Sequence, residues 1–308
     1  MSTFLLRRLS QALLIIFTSL TVVFVVVRVV PGDPAALILG ASATPADLAK
    51  LREQLGLNQS LFEQYLKFLH GVIRGDFGTS WRLGGSAMAE VLQRLPATLN
   101  LTAAALLITI LTGFPLGVFG ARHPGSWIDR MISIFTLIGQ ALPSFWVGVM
   151  LILVFARTLR VFPSAADGSA KALILPAVTL ALPFIGWLSR LVRNGLLDEV
   201  DKDYVRTARS KGIDARVVFY RHALRNTLIP VVTVLGLLIG NFIANAVIIE
   251  VVFARPGIGS LMIDAITNRD YSVVQAAIMT ITVAYVLLNL LVDLLYFKLD
   301  PRLSPVDV

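Results

Sequence analysis

Between Asp201 and Arg225 the chain reads DKDYVRTARSKGIDARVVFYRHALR, seven Lys and Arg alongside Asp201, Asp203 and Asp214. This block stands between uncharged runs of 18 residues (172–189) and 24 residues (226–249). Hydrocarbon has no water to satisfy polar groups, so such a block lies outside a bilayer. Val205, Ala208 and Gly212 fall at i, i+3 and i+7, a small apolar helix face, and Arg206, Arg209 and Lys211 take the other positions. Gly212 is placed to end that helix as a C-terminal glycine, with Lys211 at the negative end of the dipole. Ile213 follows, and Asp214 is placed to cap a second short helix from Ala215 to about Leu224. The chemistry available here is docking. A helical knob with a small apolar face and a basic rim suits insertion into a cleft on a soluble partner. The other reading of the same residues is an amphipathic loop resting on lipid headgroups.

Bond-making chemistry is missing. There is no cysteine, which removes thiolate metal sites, disulfides and Cys nucleophiles. No G-x-x-x-x-G-K-[ST] phosphate loop and no H-E-x-x-H occurs, and His70, His123 and His222 are dispersed over loops. G-x-S-x-G is absent, Gly75-x-x-Gly78 is too short for a phosphate loop, and Ser144 has no His or Lys facing it within an apolar run. The expectation is a chain with no catalytic residue, no metal site and no bound cofactor.

The elements that must position the block are membrane helices. Of 308 residues, 56% are hydrophobic and 15% charged, with a mean hydropathy of +0.78, which excludes a soluble globular domain. Crossing a bilayer takes about 20 apolar residues. Six segments qualify: 9–27, 97–121, 131–156, 172–189, 226–249 and 271–292. The alternation of a β-barrel is absent. The first run follows Arg7 and Arg8 but lacks a small-x-small cleavage site before Pro31, so it reads as a retained helix. The net charge of +8 reflects positive-inside topology and anionic lipid rather than nucleic acid. With the N-terminus inside, 15 of the 27 Lys and Arg are cytoplasmic, and the short outer connections hold five: Arg157, Arg160, Lys171, Arg255 and Arg269. Both termini are therefore expected in the cytoplasm.

After the first helix, Pro31-Gly32-Asp33-Pro34 is a sharp stop. Residues 44–70 read as extracytoplasmic helix, an amphipathic cap over the outer mouth with a binding domain as the other reading, with Thr44 as N-cap, Pro45 at N1 and Asp47 at N3. Prolines and glycines inside the spans (Pro115, Pro143, Pro183, Gly186, Gly236) allow bends and close helix approach. Among the polar side chains there, Asn100, Gln140, Ser144, Asn241 and Asn245 are candidates to line a pathway. Their other use is hydrogen bonding between helices, worth about 0.6 kcal/mol on average. Glu250 and Asp293 sit near span ends as interfacial, snorkelling or Arg-paired groups.

Arg206-Thr207-Ala208-x-x-x-Gly212 resembles the E-A-A-x-x-x-G loop in permease subunits of binding-protein-dependent ABC importers, with Arg206 and Thr207 departing from it and Arg225 standing where many members have Pro. Pro31-Gly32-Asp33-Pro34, Leu55-Gly56-Leu57, Gly75-Asp76-Phe77-Gly78-x-Ser80, Tyr204-x-Arg206, His222-x-Leu224-Arg225-Asn226, Pro256-Gly257-Ile258-Gly259, Arg269-Asp270-Tyr271 and Leu299-Asp300-Pro301-Arg302 are together similar to the first permease subunit of dipeptide/oligopeptide-type importers. The resemblance covers essentially the whole chain. It implies an all-α type I importer fold of six spans in the bacterial inner membrane. Residues 1–94 would form the first helix and an outer scaffold, 95–298 the transport domain with its coupling loop at about 198–226, and 299–308 a cytoplasmic tail. It also implies a homologous second permease, two cytoplasmic ATPases that use ATP and Mg, and an external solute-binding protein. Tyr204, Arg206, Thr207, Ala208, Lys211, Gly212, Ile213, Asp214 and Leu224 would form the ATPase-coupling loop. Nickel, glutathione or oligosaccharide importers share these motifs, and a non-transporting membrane scaffold is the reading from a different class.

The topology is open to direct test in a chain without native cysteine. Single cysteines at Ser60 and Asn268 should react with an impermeant reagent from outside, and those at Ser126, Ser210 and Ser304 only from inside. Reaction of the Ser210 position from outside would overturn the assignment.

Overall fold

The computed structural model describes residues 2–29, 34–39, 43–54 and 56–299. The stop at Pro31-Gly32-Asp33, Leu55, the side chain of Asp293 and residues 300–308 lie outside the described residues. In chain order the helices are α1 Ser2–Val29, α2 Pro34–Leu39, α3 Pro45–Gln54, α4 Leu61–Ile73, α5 Ala87–Arg122, α6 Trp127–Ala141 and α7 Ser144–Leu151. They continue as α8 Ile174–Val200, α9 Asp203–Ser210, α10 Ala215–Val217, α11 Leu224–Val252, α12 Ile258–Thr267 and α13 Tyr271–Leu299. Among the described residues, five helical stretches are long and apolar enough to cross a membrane: Leu6–Val29, Ala87–Arg122, Ala170–Val200, Pro230–Val252 and Tyr271–Val292.

The sixth expected span, 131–156, is not one straight rod. The chain bends by 102° between Trp127–Ala141 and Ser144–Thr158. Pro143 lacks the N–H that would continue the helix, and Leu142 and Pro143 take extended backbone angles. Counted as one broken span, the pair brings the total to six. Beyond the bend α7 runs into a π-helical turn, Ile152–Thr158.

The chain folds as two compact units, residues Met1–Ala97 with Pro256–Val286, and Thr98–Arg255 with Leu287–Val308. In the first, Leu20, Phe77, Val91, Ile258, Leu261 and Val273 form the core. The 44–70 helix expected from periodicity is two helices. Thr44 and Asp47 cap α3 reciprocally as read from the sequence, with Asp47 N donating to Thr44 Oγ1 over 3.2 Å. The helix stops because Gly56 turns at φ +68° and Ser60 starts α4 with its own capping box to Glu63. Two motifs far apart in sequence meet in this unit: Ser80 Oγ donates to Asp270 Oδ2 over 2.5 Å, both residues buried. Gly78 (φ +88°) passes Ser272 so closely that a Cβ there would lie 3.1 Å from its Oγ.

In the second unit α8 is the hub, packing on α6, α7 and α11. Small residues permit the approach. A Cβ on Gly117 of α5 would come within 2.6 Å of Ser189 O, and one on Gly186 within 2.5 Å of Thr136 O. Arg193 of α8 clamps Asp129 of α6 bidentately, Nε to Oδ1 at 2.6 Å and Nη2 to Oδ2 at 2.7 Å. Asp129 is buried, and it also accepts the Gly125 N–H. Glu250, expected at an interface, is instead fully buried and accepts from Thr98 Oγ1 at 2.6 Å. At the end of α11 a carboxylate facing inward meets a hydroxyl of α5, whereas one facing outward would meet lipid.

Removing one member of the buried clamp leaves the other charge without its partner, which costs about 3–5 kcal/mol in buried pairs. Arg193→Met should therefore lower the thermal midpoint of the purified, detergent-solubilised protein by more than the double variant Asp129→Asn/Arg193→Met does. Equal midpoints for the two would show that the clamp contributes nothing through its charge.

Candidate functional site

The charged block folds as expected up to its second limb. Asp203–Ser210 is helical, Gly212 adopts φ +77°, and its N–H bonds to Arg209 O while Ile213 N bonds to Ala208 O. This left-handed glycine satisfies the last carbonyls of α9. Around Gly212 a Cβ would meet nothing within 4 Å, so the turn stands open. Asp214 caps the next segment by accepting from Arg216 N at 2.8 Å. The second helix then departs from expectation. Ala215–Val217 passes through a π-helical turn, Val218–Ala223, and continues into α11 without a break. The knob is a short helix and a turn set on the cytoplasm-directed extension of a span, in the topology read from the sequence.

The apolar face is also placed differently. Val205 and Ala208 are buried against Val218 and form the knob's own small core. They hold α9 against the α11 extension and are not free to enter a partner's cleft. Sequence periodicity identified a one-sided helix correctly but could not say which element its apolar side faces. Arg206, Thr207, Lys211, Gly212, Ile213 and Asp214 are among the residues that remain exposed, together with Val217. Leu224 packs with Ala223 and Val231 in the core of the second unit and belongs to the span.

Tyr204, half-exposed, does a different job. Its hydroxyl donates to Glu199 Oε1 at 2.7 Å and accepts from Asn226 Nδ2 at 3.0 Å, while Lys202 pairs with Glu199. Burial, and then the Glu199 carboxylate, push the Tyr204 hydroxyl above the usual phenol range. On the far side Arg122 Nη1 donates to Tyr220 Oη at 3.1 Å. The knob is thus tied to the ends of α5, α8 and α11. Glu199, Arg122 and Tyr220 were missed by sequence reasoning, and no spacing rule would find partners 98 residues apart.

Of the five candidate pathway residues, two meet at one feature. Gln140 lies in the last turn of α6 and Ser144 is the first residue of α7, so they flank the 102° break. Gln140 Nε2 is buried with no hydrogen-bond partner among the described residues. Asn241 and Asn245 share a face of α11, and Asn245 Nδ2 donates to Asn241 O at 2.8 Å. Asn100 is exposed on α5. Irregular backbone at membrane depth persists only where protein buries it or it lines a cavity, which makes the α6–α7 break the strongest pathway candidate. Among the described residues no group of His, Cys, Asp and Glu could hold a metal ion.

Comparison with known proteins places these features in a family. A profile described as "Binding-protein-dependent transport system inner membrane component" matches residues 113–305, and a profile for the N-terminal part of such membrane components matches 1–102. The chain is 38% identical over 311 residues to a probable peptide ABC transporter permease protein, y4tP, of Sinorhizobium fredii, covering 98% of this chain and 99% of that one. It is 37% identical to the oligopeptide transport system permease protein AppB of Bacillus subtilis, over 99% of this chain and 100% of that one. To the probable D,D-dipeptide transport system permease protein DdpB of Escherichia coli it is 35% identical, over 97% of each. In fold it is similar to a chain of the inward-facing MetNI methionine ABC transporter (TM-score 0.55, 17% identity, 69% of this chain and 97% of that one). A chain of an amino acid ABC transporter gives TM-score 0.52 at 18% identity, over 70% and 94%. The apolar helices, the broken span and matches along nearly the full length agree: this chain belongs to the family of binding-protein-dependent transport system inner membrane components, as a multi-pass permease of the inner membrane.

Proposed function

We propose that this chain forms half of the translocation pathway of an ATP-driven importer of di- or oligopeptides. The observation that carries the substrate class is identity of 35–38% along nearly the whole chain to permeases named for peptide, oligopeptide and D,D-dipeptide transport. Both termini lie in the cytoplasm, a homologous permease supplies the other half of the pathway, and a solute-binding protein delivers peptide from outside. Two separate ATPases bind ATP and Mg. This chain supplies no phosphate loop and catalyses nothing by itself.

Coupling runs through the open turn at Gly212–Ile213. Arg206, Lys211, Asp214 and Val217 surround it and offer charge and one apolar contact to an ATPase surface. Because Tyr204 and Tyr220 tie the knob to the ends of α5, α8 and α11, a displacement of the turn moves those ends together. A contiguous packed and hydrogen-bonded element of this kind can carry coupling between sites. Gln140 and Ser144, at the break in the third span, line the route that opens and closes in response.

Uptake of labelled di- and oligopeptides by cells carrying the whole importer should depend on this chain, whereas nickel and glutathione uptake should not. Nickel or glutathione uptake lost in its place would overturn the substrate class. Purified alone, the chain should hydrolyse no ATP, and contaminant-free hydrolysis would end the energy assignment.

Two substitutions separate the turn from the core beneath it. Gly212→Leu meets open space, costs roughly 1 kcal/mol for φ > 0, and should leave the chain inserted and protease-resistant. Peptide uptake should nonetheless fall at least tenfold, with the ATPases dissociating or hydrolysing ATP without transport. Ala208→Glu puts a carboxylate into the Val205–Val218 core and should make the knob itself protease-sensitive. Wild-type uptake in Gly212→Leu would refute the coupling assignment.

A further inference from the structure

Helix α4 carries three faces where a water-exposed helix carries two. Tyr65, Phe68 and Val72 turn inward, Phe68 and Val72 onto the core of the first unit and Tyr65 onto Phe24. Glu63, Lys67 and His70 form an exposed polar side. Between them, at about 100° per residue, Phe62, Leu66 and Ile73 fall within about 40° of one another. They are 69%, 49% and 84% exposed. A bare stripe of that kind marks an interaction surface.

The contacts of α4 say what covers it. Arg28 Nε donates to Gln64 Oε1 over 3.2 Å, the Phe24 ring lies 5.1 Å from Tyr65 and 5.5 Å from Phe68, and Thr21 Oγ1 is 2.6 Å from Tyr65 Oη. All of these α1 residues lie within the Leu6–Val29 span. Phe24 is five residues short of its end, a depth of about 7.5 Å at 1.5 Å per residue. The same turns of α1 present Val22, Val25 and Val26 outward, so the surface beside α4 is itself apolar and belongs to a stretch long enough to cross a bilayer. Helices with an apolar edge and a charged edge bed into the headgroup–acyl boundary by about 5–10 Å, the depth this register gives.

We propose that α4 is an interfacial helix whose Phe62, Leu66 and Ile73 stripe is embedded among phospholipid acyl chains at the C-terminal end of α1, with Glu63, Lys67 and His70 toward water. It gives the amphipathic outer cap read from the sequence a lipid-facing side. In the proposed topology the leaflet is the outer one. The depth follows from the register with α1 and holds for either orientation.

The test uses the cysteine-free chain within the whole reconstituted importer, in phosphatidylcholine/phosphatidylglycerol vesicles. A fluorophore is placed on single cysteines at Leu66, Ile73 and Lys67, in preparations that retain uptake. Lipids spin-labelled near the headgroup should quench the Leu66 and Ile73 positions at least twofold more than aqueous iodide does, with the reverse at Lys67. Phe62→Trp, read with brominated lipid, gives the same measurement through a conservative side chain. Iodide quenching at every position would place the stripe in water, and shielding from both quenchers would place it against a protein; either overturns the proposal. Spin label confined to one leaflet reports the orientation separately, so a reversed topology would shift the quenching leaflet without abolishing the quenching.

Discussion

A peptide group in hydrocarbon has no water to bond to, and nearly everything in this molecule follows from that. Long helices are the response: each satisfies its own N–H and C=O groups, and α1, α5, α8, α11 and α13 are built this way. Charge at the ends of the spans is paired or hydrogen-bonded as well. Asp129 is clamped bidentately by Arg193, and Glu250 accepts from Thr98. Glycines at 113, 117 and 186 let the backbone of α8 come close to α5 and α6, the approach across which Arg193 of α8 meets Asp129 of α6.

Among the described residues the sharpest break in a span is the 102° bend at Leu142–Pro143. A helix interrupted there needs protein or an aqueous route beside it, and Gln140, with its amide nitrogen unpartnered among the described residues, stands at the interruption. Transport needs polar groups at membrane depth that are not consumed by helix packing. Thr179, by contrast, spends its hydroxyl on Leu175 O.

Outside the layer the constraint is lifted, and the chain uses conformations it could not afford within it. Gly212 turns through a left-handed conformation with nothing around it. Val205, Ala208 and Val218 make a core just large enough to stiffen the knob, and the Tyr204 and Tyr220 hydroxyls anchor it to span ends. In the coupling proposed above, this exposed and anchored turn is the element that carries motion between a soluble ATPase and the membrane pathway.

Local features were readable in the amino-acid order because their causes are local. Hydropathy over about 20 residues identifies a span, a glycine after a helical repeat marks the turn at 212, and Thr44 with Asp47 signals a helix start. The family-wide motifs were likewise visible as strings. Tertiary structure decided which way each element faces. The apolar side of α9 turned inward onto Val218, Glu250 turned from interface to interior, and the 44–70 segment broke at Gly56 and settled beside α1. Ser80 found Asp270 across 190 residues and Arg122 found Tyr220 across 98. A face or a distant pair depends on what another part of the chain brings alongside, and no window of neighbouring residues contains that information.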